Sequence, residues 1–237
     1  MTKVRLLLLG VLAAVAVGSV SSSSALALSD SCPQASGFLA ICIGGVANDE
    51  TALPFTGVKE VGSASKLKVA LLNNLEVECT GAAATGEETQ TVLSVVAALK
   101  DVRIDFTGCK IVGALATKCK LSQELIETVE LKATIENGAV EAETKNLTFE
   151  PQAGTSFATF TVQEVSACPA TVLGNKTAKG KVKATLDTCK GQSTTHAVLA
   201  NVTEASGELT VAGDAAEFVL AETVSLGGGG EWTLQLA

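Results

Sequence analysis

The sequence has few of the residue types on which catalysis and ligand binding commonly depend. Its 237 residues include one His, one Trp, seven Phe and no Tyr. A two-His metal site, an aromatic platform for sugars and a base-stacking surface for nucleic acids each need residues that this chain lacks. Four Pro residues are too few to mark a Pro-rich linker between domains. The composition therefore argues against several function classes, and we expect no cofactor and no metal site.

Basic residues are also in the minority. The chain has 17 Lys and Arg against 25 Asp and Glu, a net charge of −8 at pH 7. Such a chain repels phosphate backbones and anionic lipid headgroups, so we expect no nucleic-acid partner. Hydrophobic types make up 47% and charged types 18% of the residues, which is typical of a folded protein and not of a disordered one.

The N-terminal residues have the three-part order of a secretory signal peptide. Lys3 and Arg5 precede an apolar run from Leu6 to Val17, and a Ser-rich patch then leads to small residues ending at Ala27. This order predicts export, with cleavage after Ala27. The apolar run is shorter than the roughly 20 residues that cross a bilayer, so we expect no membrane span after cleavage. The predicted location is secreted, or extracellular.

Seven cysteines follow the predicted cleavage site: Cys32, Cys42, Cys79, Cys109, Cys119, Cys168 and Cys189. In an exported chain they are expected to form disulfides. Pairing by short local loops favours Cys32–Cys42, Cys109–Cys119 and Cys168–Cys189, with Cys79 as the free thiol. A Cys79–Cys109 bridge is an open alternative, because spacing alone does not determine connectivity.

Alternation of apolar and polar residues recurs along the chain and predicts β-strands. Val102, Ile104 and Phe106 share one parity, and so do Leu131 and Ala133. Such runs, separated by Gly, Asn and Asp, predict an all-β fold, an antiparallel β-sandwich or a barrel-like form, stabilised by disulfides. A helix over 122–135 is a weaker alternative. The dipeptide at 137–138, Asn-Gly, is the best hairpin signal.

The predicted organisation has three parts. Residues 1–27 form the signal peptide and residues 28–51 an N-terminal segment with Cys32 and Cys42. Residues 52–237 form the β-rich domain, with a possible sub-boundary near 151–154, where Pro151 precedes Gly154.

Several short motifs resemble a group of uncharacterised secreted proteins of soil actinobacteria. They are Leu75-Glu76-Val77-Glu78-Cys79, Thr107-Gly108-Cys109 with Cys119 following, Gly154-Thr155-Ser156-Phe157, Ala167-Cys168-Pro169 and Lys179-Gly180-Lys181-Val182. The resemblance covers roughly residues 52–237 and implies export and a β-rich fold. It carries no known activity, so no functional residues transfer. Cys32, Cys42 and Cys189 are not part of the pattern.

Two sequence features match enzyme chemistry. Ser63 and Lys66 have the Ser-x-x-Lys spacing in which a lysine activates a serine nucleophile. Acidic residues at short spacing, such as Asp101 and Asp105, could serve a hydrolase that uses two carboxylates. The partner motifs of the Ser-Lys enzymes are absent, and a run of strand character follows Lys66 where a helix would be needed.

Two further motifs have structural interpretations. Residues 53–57 spell Leu-Pro-Phe-Thr-Gly, the sorting signal of wall-anchored proteins, but they lie far from the C-terminus, where that signal acts. We expect a turn there. Asn-x-Thr sequons begin at Asn146, Asn175 and Asn201, and in a bacterial chain we expect them to be turn residues.

The sequence thus predicts an exported β-domain that acts without catalysis, extracellular or envelope-associated, in a binding or structural role with an unknown protein or envelope partner. The alternatives are a secreted hydrolase using Asp/Glu or Ser63–Lys66, and a carrier of a small apolar ligand. A carrier would require a large internal apolar pocket.

Overall fold

A computed structural model describes residues 39–43, 46–48, 53–59, 65–85, 91–94, 98–136, 144–187, 193, 196–203, 206–226 and 231–236. Residues Cys32–Ala237 form one compact unit. In chain order the strands are β1 (Leu39–Ile43), β2 (Val46–Asn48), β3 (Leu53–Lys59), β4 (Ser65–Val69), β5 (Leu75–Thr85), β6 (Thr91–Ser94), β7 (Ala98–Val112), β8 (Cys119–Leu121), β9 (Ile126–Glu127), β10 (Leu131–Glu136), β11 (Thr144–Pro151), β12 (Ser156–Glu164), β13 (Gly174–Gly180), β14 (Val182–Asp187), β15 (His196–Val202), β16 (Leu209–Val211), β17 (Asp214–Ala215), β18 (Glu217–Leu226) and β19 (Trp232–Leu236). A 3₁₀ turn covers Gly113–Leu115.

The alternating runs form strands with their apolar parity buried, as predicted. Val102, Ile104 and Phe106 on β7 are all at most 5% exposed, and Leu131 and Ala133 on β10 are completely buried. Residues 126–136 form β9 and β10 and contain no helix. Side chains of successive strand residues point to opposite faces, so one row of each strand enters the core while the other faces solvent.

The strand pairing closes on itself. Each strand pairs antiparallel with the next in the order β4, β5, β7, β10, β11, β14, β15 and β18, and β18 pairs with β4 again. We call these eight strands the ring. Strand β3 adds a second connection between β18 and β5. The predicted all-β antiparallel fold is confirmed, and the pairing of these strands gives its barrel-like form.

A second sheet of five strands packs against the ring, in the order β17, β16, β13, β12, β8. A single residue, Lys181, separates β13 of this sheet from β14 of the ring. The Val129 amide, between β9 and β10, donates a hydrogen bond to the Phe157 carbonyl of β12 (3.0 Å). The segment 152–155, near the predicted sub-boundary, carries the chain from the ring to the second sheet. A small third sheet has the order β19, β1, β2.

In both β5 and β7 the alternate residues that point into the core change from one parity to the other, and they do so at paired positions. On β7 the buried residues are Phe106 and then Cys109, and the paired strand β5 switches at Gly81. Gly108, with φ +61°, lies where a Cβ would collide with Thr80 Oγ1. Glycine permits both this left-handed backbone and the close approach of the neighbouring strand. The paired strands can therefore turn here and keep an apolar row inward on both sides of the turn.

The disulfides correct the predicted pairing. Cys79 is bonded to Cys109, with Cα atoms 3.9 Å apart, and Cys119 is bonded to Cys168, with Cα atoms 5.2 Å apart. The preferred bridges Cys109–Cys119 and Cys168–Cys189 are therefore wrong, and Cys79 is not the free thiol. The alternative Cys79–Cys109 bridge is confirmed. Cys32 and Cys189 lie outside the described residues, so the Cys32–Cys42 bridge stays a prediction.

The physical reason lies in strand pairing. Cys79 and Cys109 are direct partners in the β5–β7 register, and directly opposed positions on antiparallel strands bring Cβ atoms within disulfide reach. The cost of closing a loop rises slowly with its length, so a short spacing is a poor guide to connectivity.

Local turn motifs were also less informative than the strand register. Strands β10 and β11 pair antiparallel, with Glu136 opposite Asn146, and the Asn-Gly dipeptide at 137–138 lies outside the described residues. The expected turn at 53–57 is wrong, because these residues belong to β3. Asn146, Asn175 and Asn201 lie on strands and not in turns.

Candidate functional site

The interior of the ring contains one charged residue among its described lining. Strand β18 sends Phe218, Leu220, Glu222 and Val224 inward, and the apolar members of this row are at most 8% exposed. Glu222 is 4% exposed and continues the same parity. The alternation that makes β18 a strand therefore places a carboxyl group where an apolar side chain is expected.

The interior around Glu222 is apolar. A cavity of about 20 Å³ is lined by Glu222 together with Ala84, Val102, Ile104, Phe106, Leu147, Phe149, Phe157, Val182, Val198, Ala200, Phe218, Leu220 and Val224. This volume has room for about one water molecule, but a stable buried water needs two to four polar partners. The apolar lining does not supply them.

Burial in this apolar interior destabilises the charged form of the Glu222 side chain. Its Oε1 is buried and accepts no hydrogen bond within the described structure. Desolvation by burial raises the pKa of Glu222 from its ordinary 4.5 to about 7. Burial in a medium of low polarity disfavours the charged form of a carboxyl group, which explains the direction of the shift. A neutral Glu222 is thus the form that the interior accommodates best.

The register identifies the neighbours of Glu222 in the sheet. Val198 of β15 is its partner on one side and Lys59 of β3 its partner on the other. Two residues further along, His196 of β15 is paired with Val224. Lys59 and His196 are therefore the titratable residues nearest in register to Glu222.

A second cavity of about 40 Å³ lies between the ring and the second sheet. Phe106, Phe157 and Phe218 line this cavity as well as the first, so the two are separated by aromatic side chains. The rings of Phe106 and Phe218 meet edge to face, with centroids 5.8 Å apart. Ser65 also lines this cavity, and its buried Oγ has no hydrogen-bond partner within the described structure. The interior is therefore filled by side chains around two small voids.

The second sheet also buries a charged residue, but with a partner. Lys176 of β13 is 7% exposed, and its Nζ donates a hydrogen bond to the Leu173 carbonyl (2.9 Å). A buried charge is tolerated when its donors are satisfied. Lys176 therefore has a structural explanation, whereas the unpartnered oxygen of Glu222 has none.

A groove of about 570 Å³ crosses the outer face of the ring over β11, β14, β15 and β18. Its apolar members, Leu199 and Val219, are 49% and 43% exposed. Asn146 and Asn201 also line it, as does Lys183, which forms an ion pair with Glu208 (2.7 Å). Apolar residues with amide and charged groups beside them offer the mixed surface that protein contacts use.

The structure describes only some of the enzyme candidates from the sequence, and Lys66 and Asp101 among them have other partners. Lys66 lies on β4 and forms an ion pair with Glu78 (3.3 Å), while Ser63 lies outside the described residues. Asp101 and Asp105 both lie on β7, and Asp101 accepts a hydrogen bond from the Gln152 side chain (2.8 Å). Asp101 also sits at a register shift between β7 and β10, with φ +55°. Its place in that bulge gives it a structural role.

Sequence reasoning missed Glu222, although the sequence contains a signal for it. The run from 216 to 224 has Ala, Phe, Leu, Glu and Val on one parity. A carboxylate on the apolar parity of an otherwise regular strand predicts either a break in the strand or a buried acid.

No protein-family model, curated protein or solved structure matches this chain. Within the part of the chain that the structure describes, no group of three or more His, Cys, Asp or Glu side chains is placed to hold a metal ion. The described residues also include no helix that is long and apolar enough to cross a membrane.

Proposed function

We propose that the chain is an exported β-domain, extracellular or envelope-associated, that acts without catalysis in a binding or structural role. The observation that carries this proposal is the pair of disulfides. The ring and the second sheet contain one each: Cys79–Cys109 joins β5 to β7 in the ring, and Cys119–Cys168 ties β8 to the segment after β12 in the second sheet. Structural disulfides persist in oxidising compartments and are rare in the cytosol of most organisms.

The position of the first bridge agrees with the resemblance to secreted actinobacterial proteins. Two separate motifs of that resemblance, ending at Cys79 and at Cys109, are paired strand segments in the structure. The N-terminal order of charge, apolar run and small residues adds an independent reason to expect export.

The size of the interior voids supports a non-catalytic, non-carrier role. Pockets for small molecules usually measure 300–1,000 Å³, whereas the interior cavities around Glu222 and Ser65 measure about 20 and 40 Å³. Carboxylate-pair hydrolysis needs two acids about 5 to 10 Å apart at an accessible site. Glu222 is the one acid in the described lining of its cavity, and that cavity holds about one water molecule.

The proposal is tested by recovering the protein from the medium of a secreting actinobacterial host and measuring its intact mass. We expect a chain that begins at Leu28. Because four cysteines are bridged, at most three thiols will be alkylated before reduction and seven after it. A chain that retains Met1 inside the cells, with seven alkylated thiols before reduction, would contradict export and the disulfides together.

A non-reduced tryptic map provides the matched control. Trypsin cuts after Lys100, Arg103, Lys110 and Lys118, so each of the four bridged cysteines falls on its own peptide. We expect linked peptides for Cys79–Cys109 and Cys119–Cys168. In a Cys79→Ala, Cys109→Ala variant, the first linked peptide should disappear while the second remains.

A further inference from the structure

Strand β18 forms one wall of the ring interior, and Glu222 is the charged member of its inward row. The inward side chains on either side of it along the strand are Leu220 and Val224, both at most 5% exposed. The described side chains that line the cavity from β5, β7, β11, β14 and β15 are all apolar. On the sides that these described residues line, a negative charge on Glu222 would therefore face hydrocarbon.

An ionised carboxylate in such an environment is stable only if a counter-charge or water reaches it, or if its strand moves so that the carboxylate becomes exposed to solvent. The cavity beside Glu222 measures about 20 Å³, too small for the several waters that solvate a carboxylate. Its Oε1 has no hydrogen-bond donor in the described structure. A neutral carboxyl group avoids most of this desolvation cost. The closed ring therefore fits the protonated side chain better than the charged one.

The charged neighbours limit how Glu222 can respond. On β3 its register partner is Lys59, and on β15 its partner is Val198, with His196 two residues further along. On its own strand, Glu217 forms an ion pair with Lys68 on the outer surface (3.7 Å). Lys59 is thus the cation in register with Glu222, and it stands where β18 pairs with β3.

We propose that Glu222 makes closure of the ring proton-dependent. With Glu222 protonated, β18 stays paired with β3 and β15 and the interior stays dry. When Glu222 loses its proton, the carboxylate draws water in and loosens β18 from these two neighbours. No cofactor or partner is needed for this response, which is independent of the exported, non-catalytic role proposed above.

The direction of the pH dependence follows from the two states. The pKa of Glu222 is about 7 in the folded protein and takes its ordinary value of 4.5 when the side chain is in water. Below pH 4.5 both states bind the proton, and the stability is fully present. As the pH rises from 4.5 to 7 the unfolded state releases its proton first, so stability falls, and above pH 7 it levels off.

Urea unfolding across pH 4 to 9 tests the proposal, with Glu222→Gln as the neutral variant and the surface variant Glu217→Gln as its control. Relative to Glu222→Gln, the unfolding constant of the wild-type protein should rise on the order of a hundredfold between pH 4.5 and pH 8. Glu217→Gln should follow the wild-type curve. Should Glu222→Gln fold poorly, Glu222→Leu supplies a second neutral side chain. Parallel curves for the wild-type protein and a folded neutral variant would overturn the proposal.

Amide hydrogen exchange locates the effect. The wild-type protein and Glu222→Gln, compared at the same pH, share intrinsic exchange rates, so their difference reports structural opening. At pH 5 protection of β18, β3 and β15 should be equal in the two proteins. At pH 8.5 these strands should exchange at least tenfold faster in the wild-type protein, and by a larger factor than β12 and β13, which follow only the change in global stability. Uniform change over all strands would overturn local opening.

A Lys59→Met variant separates the apolar interior from an ion pair as the cause. If Glu222 titrates against hydrocarbon, the pH step persists in Lys59→Met and is at least as large, because the nearest cation in register has been removed. A wild-type protein without the step, which then appears only in Lys59→Met, would show that a Glu222–Lys59 ion pair holds the carboxylate charged, and would overturn the proposal.

Discussion

The ring and the second sheet differ in how they accommodate a buried charged side chain. Each has a disulfide and each buries one charged side chain, Glu222 in the ring and Lys176 in the second sheet. The Lys176 ammonium donates to a backbone carbonyl three residues away, whereas Glu222 Oε1 has no donor among the described residues. A backbone carbonyl close in sequence satisfies the buried Lys176, and a satisfied buried group needs no further explanation. The comparison therefore identifies Glu222, and not Lys176, as the residue that needs a functional explanation.

The largest expected losses of stability follow removal of the two disulfides, one in the ring and one in the second sheet. The Cys119–Cys168 bridge spans 49 residues and the Cys79–Cys109 bridge spans 30. Loop-closure entropy in the unfolded chain predicts losses of about 4 and about 3.5 kcal/mol when each pair is replaced by Ala. Guanidinium unfolding measures both.

Cys189→Ser is the control for these substitutions, because it breaks neither bridge. A loss below about 1 kcal/mol for both double variants would mean that the bridges do not constrain the unfolded chain as the loop lengths predict. A much larger loss for the ring pair would show that β5 and β7 depend on their bridge for native pairing.

Two glycines provide the next largest contrast. Gly180 of β13 has φ +111°, and a Cβ there would collide with the backbone carbonyl of Glu208. At Gly108 of β7 the collision is with the Thr80 hydroxyl, which can rotate away. We therefore expect Gly180→Ala to cost about 3 kcal/mol and Gly108→Ala about 1.5 kcal/mol, from positive-φ strain plus the steric clash. Thermal unfolding measures both variants.

The control for both is Gly154→Ala. Its φ is +70°, but nothing lies within 4 Å of the added Cβ, so the expected cost is the conformational one alone, about 1 kcal/mol. Equal losses at all three positions would show that the close approaches are relieved without cost and that only the backbone conformation matters.

The last contrast is one of sign, and it distinguishes the two buried charges. Lys176→Met removes a charge and leaves the Leu173 carbonyl without its donor, so it should destabilise the protein by about 2 kcal/mol at every pH. Glu222→Leu removes an unpartnered group and should stabilise the protein at pH 8. Urea unfolding at pH 5 and pH 8 gives both signs. Lys179→Met, at an exposed position of the same strand as Lys176, is the matched control. Destabilisation by Glu222→Leu at pH 8 would contradict the comparison.

Much of the strand pattern could be predicted because it is local. The shared parity of Val102, Ile104 and Phe106 can be recognised within one short segment of the sequence. A period of two makes one face of a strand apolar wherever the strand lies in the fold. Turn motifs predicted less. Residues 53–57 were expected to form a turn, yet they belong to β3, which pairs with β18 and β6. Pairing along a whole strand outweighs the preference of a short motif.

The disulfides and the candidate site could not be predicted in the same way. Cys79 meets Cys109 only because β5 and β7 are neighbours in one particular register. Glu222 is visible in the sequence as a carboxylate on an apolar parity, but its unpartnered state depends on which strands surround it. Lys59, Val198 and Ile104 come together with it from distant parts of the chain.

Taken alone, the amino-acid sequence determined that this protein consists of β-strands, which row of each strand is apolar, and which functional residue types are scarce. The tertiary structure decided that the strands close into a ring, which cysteines are bonded in the described part of the chain, and that a carboxyl group lies inside with one oxygen lacking a donor among the described residues. The reason is that parity arises from neighbouring residues, whereas closure and connectivity depend on contacts between residues far apart in the chain, whose free energy appears only when the whole ring is packed.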